Sequence, residues 1–506
     1  MKFQRKRNAI RNIKFGFLNK IITLIFPFIL RTVIIYTLGA EYLGLSSLFS
    51  SILQVLSLSE LGIGSAMVFS LYKPIALNDK KKIQQLVALY DYVYRVIGSI
   101  ILILGVLVAP FLPFFISGSV PNDINLYVLY FLYLLNSSAS YFISAYKSTI
   151  LSAYQRRDVI SNIGIISHIA LYCVQLICLY NFKSYYMYVI WLPVFTIFEN
   201  MLTAWYVKRN YKDYIRKVDY TNYDLKKLFQ SVKSLLGHKL SQVVTNSVDS
   251  IIISTFLGLK MVAVYNNYYY CMSALSGILD IIYQAILAGI GNSLYSEDEK
   301  KNRDDFLKFT VMNTWIVGWC SVCLLCLYQD VMDLWVGNDL MLSFDTIVLL
   351  SIYFYVWKIR QNILVYKDAS GLWAADKWKP YVEIIVNLTI NIVLVNVIGI
   401  NGVVISTIIS MLLISIPWET KVFFTTYFNN CFKKYILLEI KYAIFFVVAG
   451  FTTYMCCFVL DLVNMNLIVI KMITCLIVPN VIIYFGGYRS DVQRKTVAYL
   501  LSVVRR

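Results

Sequence analysis

The sequence predicts an all-α, polytopic membrane protein of about fourteen transmembrane helices, built as two parallel six-helix repeats with a C-terminal pair appended. Three observations carry that expectation. The 506 residues are 59% hydrophobic and only 15% charged, whereas a soluble domain carries about 25% charged residues. The basic residues alternate from one connecting loop to the next. The chain also resembles itself at an offset of about 220 residues.

A bilayer core takes about twenty apolar residues per helix. The spans fall at roughly 15–38, 45–72, 86–116, 125–149, 159–182, 184–207, 234–257, 262–291, 306–328, 344–366, 380–398, 402–424, 439–460 and 464–485. The first is expected to be a true span and not a cleaved leader, because it is long and contains Arg31. Its N-terminal flank carries Lys2, Arg5, Lys6, Arg7, Arg11, Lys14 and Lys20, and the next loop, around Glu41, is bare. Lys73 and Lys80 to Lys82 precede the bare loop from Ser117 to Asn125. Lys147, Arg156 and Arg157 alternate with a loop holding only Lys183, and the basic Lys208–Lys233 segment with one holding only Lys260. Lys300, Lys301 and Arg303 precede the bare Asp330–Ser343 loop, and Lys358 to Lys379 precede a bare turn at Gly399 to Gly402. Lys421 to Lys441 precede the Asp461–Asn466 turn, and the tail is basic again. Positive charge collects on the cytoplasmic side, so both termini are expected there. The net charge of +18 is then a topology signal and requires no nucleic acid.

The repeat pairs Leu18-Asn19-Lys20-Ile21 with Gly237-His238-Lys239-Leu240, Leu38-Gly39 with Leu257-Gly258, Glu60 with Asp280, and Tyr146-Lys147 with Tyr366-Lys367. Six spans per copy send both copies into the membrane in the same direction, an arrangement that places a substrate site between lobes. The expected organisation is an N-lobe over 1–208, a basic linker over 209–233, a C-lobe over 234–430, and two further spans with a basic tail over 431–506.

Ten cysteines lie almost wholly within apolar spans and suggest no extracellular disulfide framework. Cys320, Cys323 and Cys326 recur at helical spacing, but no histidine and no fourth thiol is expected nearby. They read as small buried hydrophobes, and no metal site is expected. The two histidines, His168 and His238, read as hydrogen-bonded packing residues, with His238 of added interest beside Lys239.

Arg31, Glu60, Arg95, Lys239, Asp249, Asp280 and Lys471 fall inside apolar spans. Facing lipid near the bilayer centre, each would cost about 2.5–3.5 kcal/mol, so they are expected to face protein or water. Arg95 and Lys239, near span ends, are also placed to snorkel. Span 8 aligns Asn266, Tyr270, Ser273, Gly277, Asp280 and Gln284 at steps of three and four, which is one helix face. Span 2 does the same with Ser46, Ser50, Gln54, Ser57, Glu60 and Gly64. Span 7 offers Gln242, Thr245 or Asn246, and Asp249, and span 1 offers Asn19, Thr23, Pro27 and Arg31. Small polar residues also pack membrane helices; the acid on each matched stripe favours a wet cavity.

Leu38-Gly39-Ala40-Glu41-Tyr42-Leu43-Gly44-Leu45, continuing through Leu58-Ser59-Glu60-Leu61-Gly62-Ile63-Gly64, resembles the first hairpin of the Wzx-type O-antigen and capsular repeat-unit flippases. These form the polysaccharide transporter branch of the multidrug/oligosaccharidyl-lipid/polysaccharide exporter superfamily. Val248-Asp249-Ser250-Ile251-Ile252-Ile253-Ser254 is similar to that family's span 7. Lys377-Trp378-Lys379-Pro380-Tyr381 and Gly402-Val403-Val404 are similar to its spans 11 and 12. The resemblance implies a two-lobed transporter, not an enzyme, moving an undecaprenyl-diphosphate-linked oligosaccharide across a bacterial plasma membrane. A polysaccharide polymerase and a chain-length regulator would be partners.

A diphosphate must be solvated by fixed cations and water on such a path. Arg31, Lys239 and Arg95 are the candidate cations, and Gln242, Asn246, Asn266 and Tyr270 the candidate sugar contacts. Glu60, Asp249 and Asp280 are candidates to exchange protons or Na⁺; no other cofactor is expected. The rivals are a membrane polymerase or acyltransferase, which the short bare outer loops disfavour, and a small-molecule exporter of the same superfamily.

Overall fold

The computed structural model describes residues 5–57, 63–143, 146–214, 237, 240–241, 243–244, 247–372, 375–428, 431–462 and 468–504. Among these no strand forms, and helices account for nearly every residue. Glu60, Lys239, Gln242 and Asn246, with His238 and most of the 209–233 linker, lie outside the described residues.

Among the described residues ten helices are long and apolar enough to cross a membrane, or eleven if a pair bent by 59° is one span. Large apolar side chains such as Ile103, Leu107, Val397, Val447, Phe451 and Phe485 are exposed along them. Water does not tolerate apolar surface on this scale; a multi-pass membrane protein requires it.

The chain forms two compact units, 1–263 and 264–506. The first contains α1 (Arg5–Thr37), α2 (Ala40–Leu56), α3 (Ile63–Ala76), α4 (Lys80–Val108) and the bent pair α5 (Leu126–Phe142) and α6 (Lys147–Ala153). It continues with α7 (Arg157–Phe182), α8 (Tyr185–Val189), α9 (Trp191–Asn210) and α10 (Ser247–Leu257). Helices α2 and α3 overlap expected span 2, and α10 forms the C-terminal part of span 7. Local chemistry sets the breaks. Asn125 caps α5 by accepting from the Tyr127 and Val128 amides, and Asp79 caps α4 by accepting from Lys82. Gly44 lets α2 meet the Leu259 backbone, where a Cβ would overlap the carbonyl.

The second unit holds most of α11 (Leu259–Ser296), then α12 (Glu299–Val336), α13 (Phe344–Ile359), α14 (Gln361–Ser370), α15 (Lys379–Ile398), α16 (Ile400–Ser410) and α17 (Ile416–Thr426). Helices α18 (Phe432–Leu462) and α19 (Ile468–Gly487) are the appended pair, and α20 (Asp491–Val504) follows them. A π-helical turn over Met411–Ser415 joins α16 to α17. Pro417, at the start of α17, has no N–H to give the carbonyl one turn back, which loosens the ladder there. The appended pair is clamped to α12 by Lys471, whose ammonium sits 2.9 Å from Asp330 and 2.8 Å from Asp461.

One sequence expectation is corrected here. Thiols do lie near Cys326: Cys457 and Cys475, from α18 and α19, bring their Sγ atoms within 4.8 Å of it and of each other. A search along the sequence misses them because three helices deliver one thiol each. Val322, Ala449, Phe446 and Ile482 surround the triad, an apolar setting that suits the reading as buried hydrophobes.

Candidate functional site

In the first unit, α1 packs along α7, with Phe26 stacked on Tyr172 at 5.4 Å. The start of α1 is bolted to the α6–α7 turn. Asp158 is completely buried and receives Arg11 at 2.6 Å and Arg156 at 3.0 Å. The Asn12 side chain meanwhile accepts from the Asp158 amide at 2.7 Å and donates to the Gln155 carbonyl. Burial, the largest single influence, pulls the Arg156 guanidinium down, but the hydrogen bond and the charge of Asp158, with nearby tyrosines, together raise it above its ordinary value.

This anchored turn borders a cavity of about 460 Å³. Tyr72 of α3, Tyr94 of α4, Ser148 and Ser152 of α6, and Arg157 at the head of α7 line it. Gly64 also lines it, and Tyr94 leans on Tyr141 at 5.8 Å. Aromatic faces, hydroxyls and one guanidinium are groups that hold a sugar ring and an anionic oxygen. Sequence patterning counts Arg157 only as a loop charge and does not single out the others.

The sequence candidates of this unit are dispersed. Arg31 is half-buried on α1, with its charge within reach of Tyr188. Arg95 is 61% exposed and bound to Asp91 one turn away at 2.9 Å. Asp249 is buried on α10, two residues after Ser247, which donates to Gln54 of α2 at 3.0 Å. His168 lies 3.7 Å from Glu199 of α9, an acid that the sequence reading passes over. Asn19 of α1 and Glu199 both border Gly164, so three helices meet at a polar point.

The second unit is richer. Asp280 of α11 is 45% exposed and accepts from Lys358 of α13 at 2.9 Å, while the lysine is 1% exposed. Ser276 donates to its other oxygen at 3.3 Å. Lys358 also lies over Trp357 at 4.4 Å and Tyr283 at 5.8 Å, so its ammonium has a carboxylate and two ring faces. Asn266 and Tyr270 sit half-buried higher on α11, Tyr270 beside Trp335.

A second ionic group joins the ends of α13 to α17. Arg360 grips Glu419 at 2.6 and 2.7 Å and approaches Glu383 at 3.5 Å. Lys379 reaches Glu383 at 2.9 Å and Glu419 at 2.7 Å. Ser415, in the π-helical turn, donates to Glu383, and Lys367 pairs with Asp376. The sequence reading treats Lys358 to Lys379 as a basic loop. The structure instead buries Lys358, Lys367 and Lys379 against acids. Glu383, Glu419 and Glu439 inside or beside apolar stretches were the available signal.

A family model described as polysaccharide biosynthesis protein matches residues 9–287. No curated protein matches the chain in sequence. Among solved structures, it is similar to the lipid II flippase MurJ in an inward closed conformation. The TM-score is 0.65 at 15% identity, covering 95% of this chain and 99% of that one. It is also similar to an inward-facing multidrug resistance MATE family transporter of the MOP superfamily, with a TM-score of 0.61 at 14% identity, covering 84% and 99%. The bent form of the Vibrio cholerae MATE transporter VcmN gives 0.51 at 12% identity, covering 86% and 99%. The chain therefore has the fold of these transporters.

Proposed function

We propose, for a chain that belongs to the polysaccharide biosynthesis protein family, that it is a flippase. It would carry undecaprenyl-diphosphate-linked oligosaccharide units from the inner to the outer leaflet of a bacterial plasma membrane, by alternating access, for O-antigen, capsule or a similar polymer. The observation that carries this reading is the 460 Å³ cavity of the first unit, with tyrosine faces, serine hydroxyls and Arg157 on its wall. An oligosaccharide stacks on aromatic faces and hydrogen-bonds to hydroxyls, and a diphosphate pairs with a guanidinium. A membrane protein of transporter fold from a polysaccharide family has a use for such a surface.

In this reading both termini are cytoplasmic, and the cavity beside Arg157 opens on that side, where the lipid-linked substrate is loaded. Arg31, with Lys239 and Arg95, supplies positive charge along the path. Gln242, Asn246, Asn266 and Tyr270 contact sugar. Glu60, Asp249 and Asp280 exchange protons or Na⁺ to return the empty carrier. A polymerase and a chain-length regulator act next on the delivered unit.

The direct test is transport of a fluorescent undecaprenyl-diphosphate oligosaccharide in proteoliposomes holding the purified chain. The wild type is expected to move the lipid to the far leaflet, and Arg157→Ala with Tyr94→Ala to abolish movement while leaving expression normal. Movement of amphipathic drugs but not of the lipid-linked glycan would establish the exporter reading instead.

A further inference from the structure

A second cavity, of about 110 Å³, lies within the second unit between α14, α17 and α18. Arg360, Glu419, Thr420, Tyr435 and Glu439 are on its wall. Its volume exceeds the roughly 15 Å³ that one water needs. Two buried oxygens there, Oε2 of Glu439 and Oγ1 of Thr420, have no hydrogen-bond partner among the described residues.

Charge counting identifies the unusual group. Arg360 and Lys379 face Glu383 and Glu419, so those four charges balance. Lys358 and Asp280 balance, as do Lys367 and Asp376. Among the described residues lining this cavity, Glu439 is the acid without a cation. Its other oxygen, Oε1, accepts from the Asn362 amide at 2.7 Å, and the phenol of Tyr435 lies within hydrogen-bonding reach one turn back. Both donors are neutral. An ionised carboxylate supported only by neutral donors in an apolar bundle is costly, and one proton removes the cost. A metal cation would need several oxygens and would meet the Arg360 guanidinium on the same wall.

The groups facing Glu439 from each neighbouring element are few. Helix α13 brings Tyr355, within electrostatic reach. Arg360 and Asn362 come from the α13–α14 junction and α14, and Glu419 from α17. Helix α12 supplies Thr314 and Asn313 through Asn362. Its own helix adds Tyr435 and Tyr442, the latter donating to Gln493 of α20 at 2.7 Å. No lysine or arginine binds the Glu439 carboxyl among the described residues.

We propose that Glu439 and its cavity form a proton-binding site, wired through side-chain amides to the Asp280–Lys358 pair. Asn362 donates to Glu439 and to Thr314, and accepts from Asn313 at 2.8 Å. Asn313 in turn donates to the Lys358 carbonyl at 3.2 Å and accepts from Tyr283 at 2.7 Å. Lys358 then holds Asp280 on α11. An ionised Glu439 anchors this chain with a charge-assisted bond; a protonated one anchors it with a neutral bond about half as strong. Proton occupancy on α18 thereby sets how firmly Asn362 and Asn313 hold the residue that pairs with Asp280. The link to transport rests on the flippase reading; proton binding itself does not.

Infrared difference spectra of the purified full chain, recorded as pH is lowered, test the site. A protonated-carboxyl band is expected to appear in the wild type and to vanish in Glu439→Gln. Asn362→Leu removes a donor that favours the carboxylate and is expected to move the band's midpoint to higher pH. No titrating band in the wild type, a band that survives Glu439→Gln, an unmoved midpoint, or displacement of the band by Na⁺ at fixed pH would each overturn the proposal. In proteoliposomes, the wild-type rate is expected to change by up to about tenfold per pH unit, the limit for one proton, and the Glu439→Gln rate to be flat. A wild type that shows the band but moves no lipid refutes the flippase reading and leaves the proton site standing.

Discussion

Arg31 is the residue on which charge and fold are most readily separated. It is half-buried on α1 with Tyr188 within reach of its charge. If the guanidinium supports a diphosphate, Arg31→Ala inserts and accumulates normally but fails to restore surface polysaccharide in a flippase-deficient strain. Arg31→Lys should retain partial function, because charge survives while the planar fork is lost. Asp280 poses the same question from the acid side. Asp280→Asn leaves the Lys358 ammonium, itself only 1% exposed, without its carboxylate, which should lower stability. Thermal unfolding in detergent should fall for Asp280→Asn and recover in the double variant with Lys358→Met. If the double variant folds and still fails in transport, the pair serves transport beyond stability.

At the scale of elements, glycine contacts decide how closely helices approach. Gly44 faces the Leu259 backbone with no space for a methyl group, whereas Gly16 has nothing within 4 Å. Gly44→Ala is therefore expected to lower the unfolding temperature by forcing α2 away from the start of α11. Gly16→Ala should be neutral or stabilising by up to about 1 kcal/mol, through helix propensity. Equal effects of the two changes would remove the close-packing account. Gly44 and Gly402 were legible in the sequence as parts of a family-like pattern. Their reason was not, since the overlapped carbonyl of Leu259 lies far away in the chain and that of Leu394 across a turn.

For the whole molecule, the alternation of basic and bare loops makes a topology claim. Asn338, in the short turn after α12, is expected outside, and Lys212, after α9, inside. In a background without the ten native cysteines, Asn338→Cys should react with an impermeant thiol reagent in intact cells, and Lys212→Cys only after lysis. The opposite pattern would invert the protein. The basic-loop count survives the burial of Lys358, Lys367 and Lys379, because the remaining loops still alternate without them.

The sequence by itself determined the solvent and therefore the class of fold. Whether a stretch of twenty residues prefers hydrocarbon depends on those residues alone, so spans and loop charge can be read locally. It also exposed Asp280, Asp249 and Lys471 as ionisable groups needing company. Which company was decided only by packing. Asp280 meets Lys358 from 78 positions away, Arg360 meets Glu419 from 59, and Asn362 meets Glu439 from 77. Hydropathy has no term for such distances. A buried charge demands a partner, but only helices laid side by side say which residue supplies it, and which acid, like Glu439, is left to bind a proton.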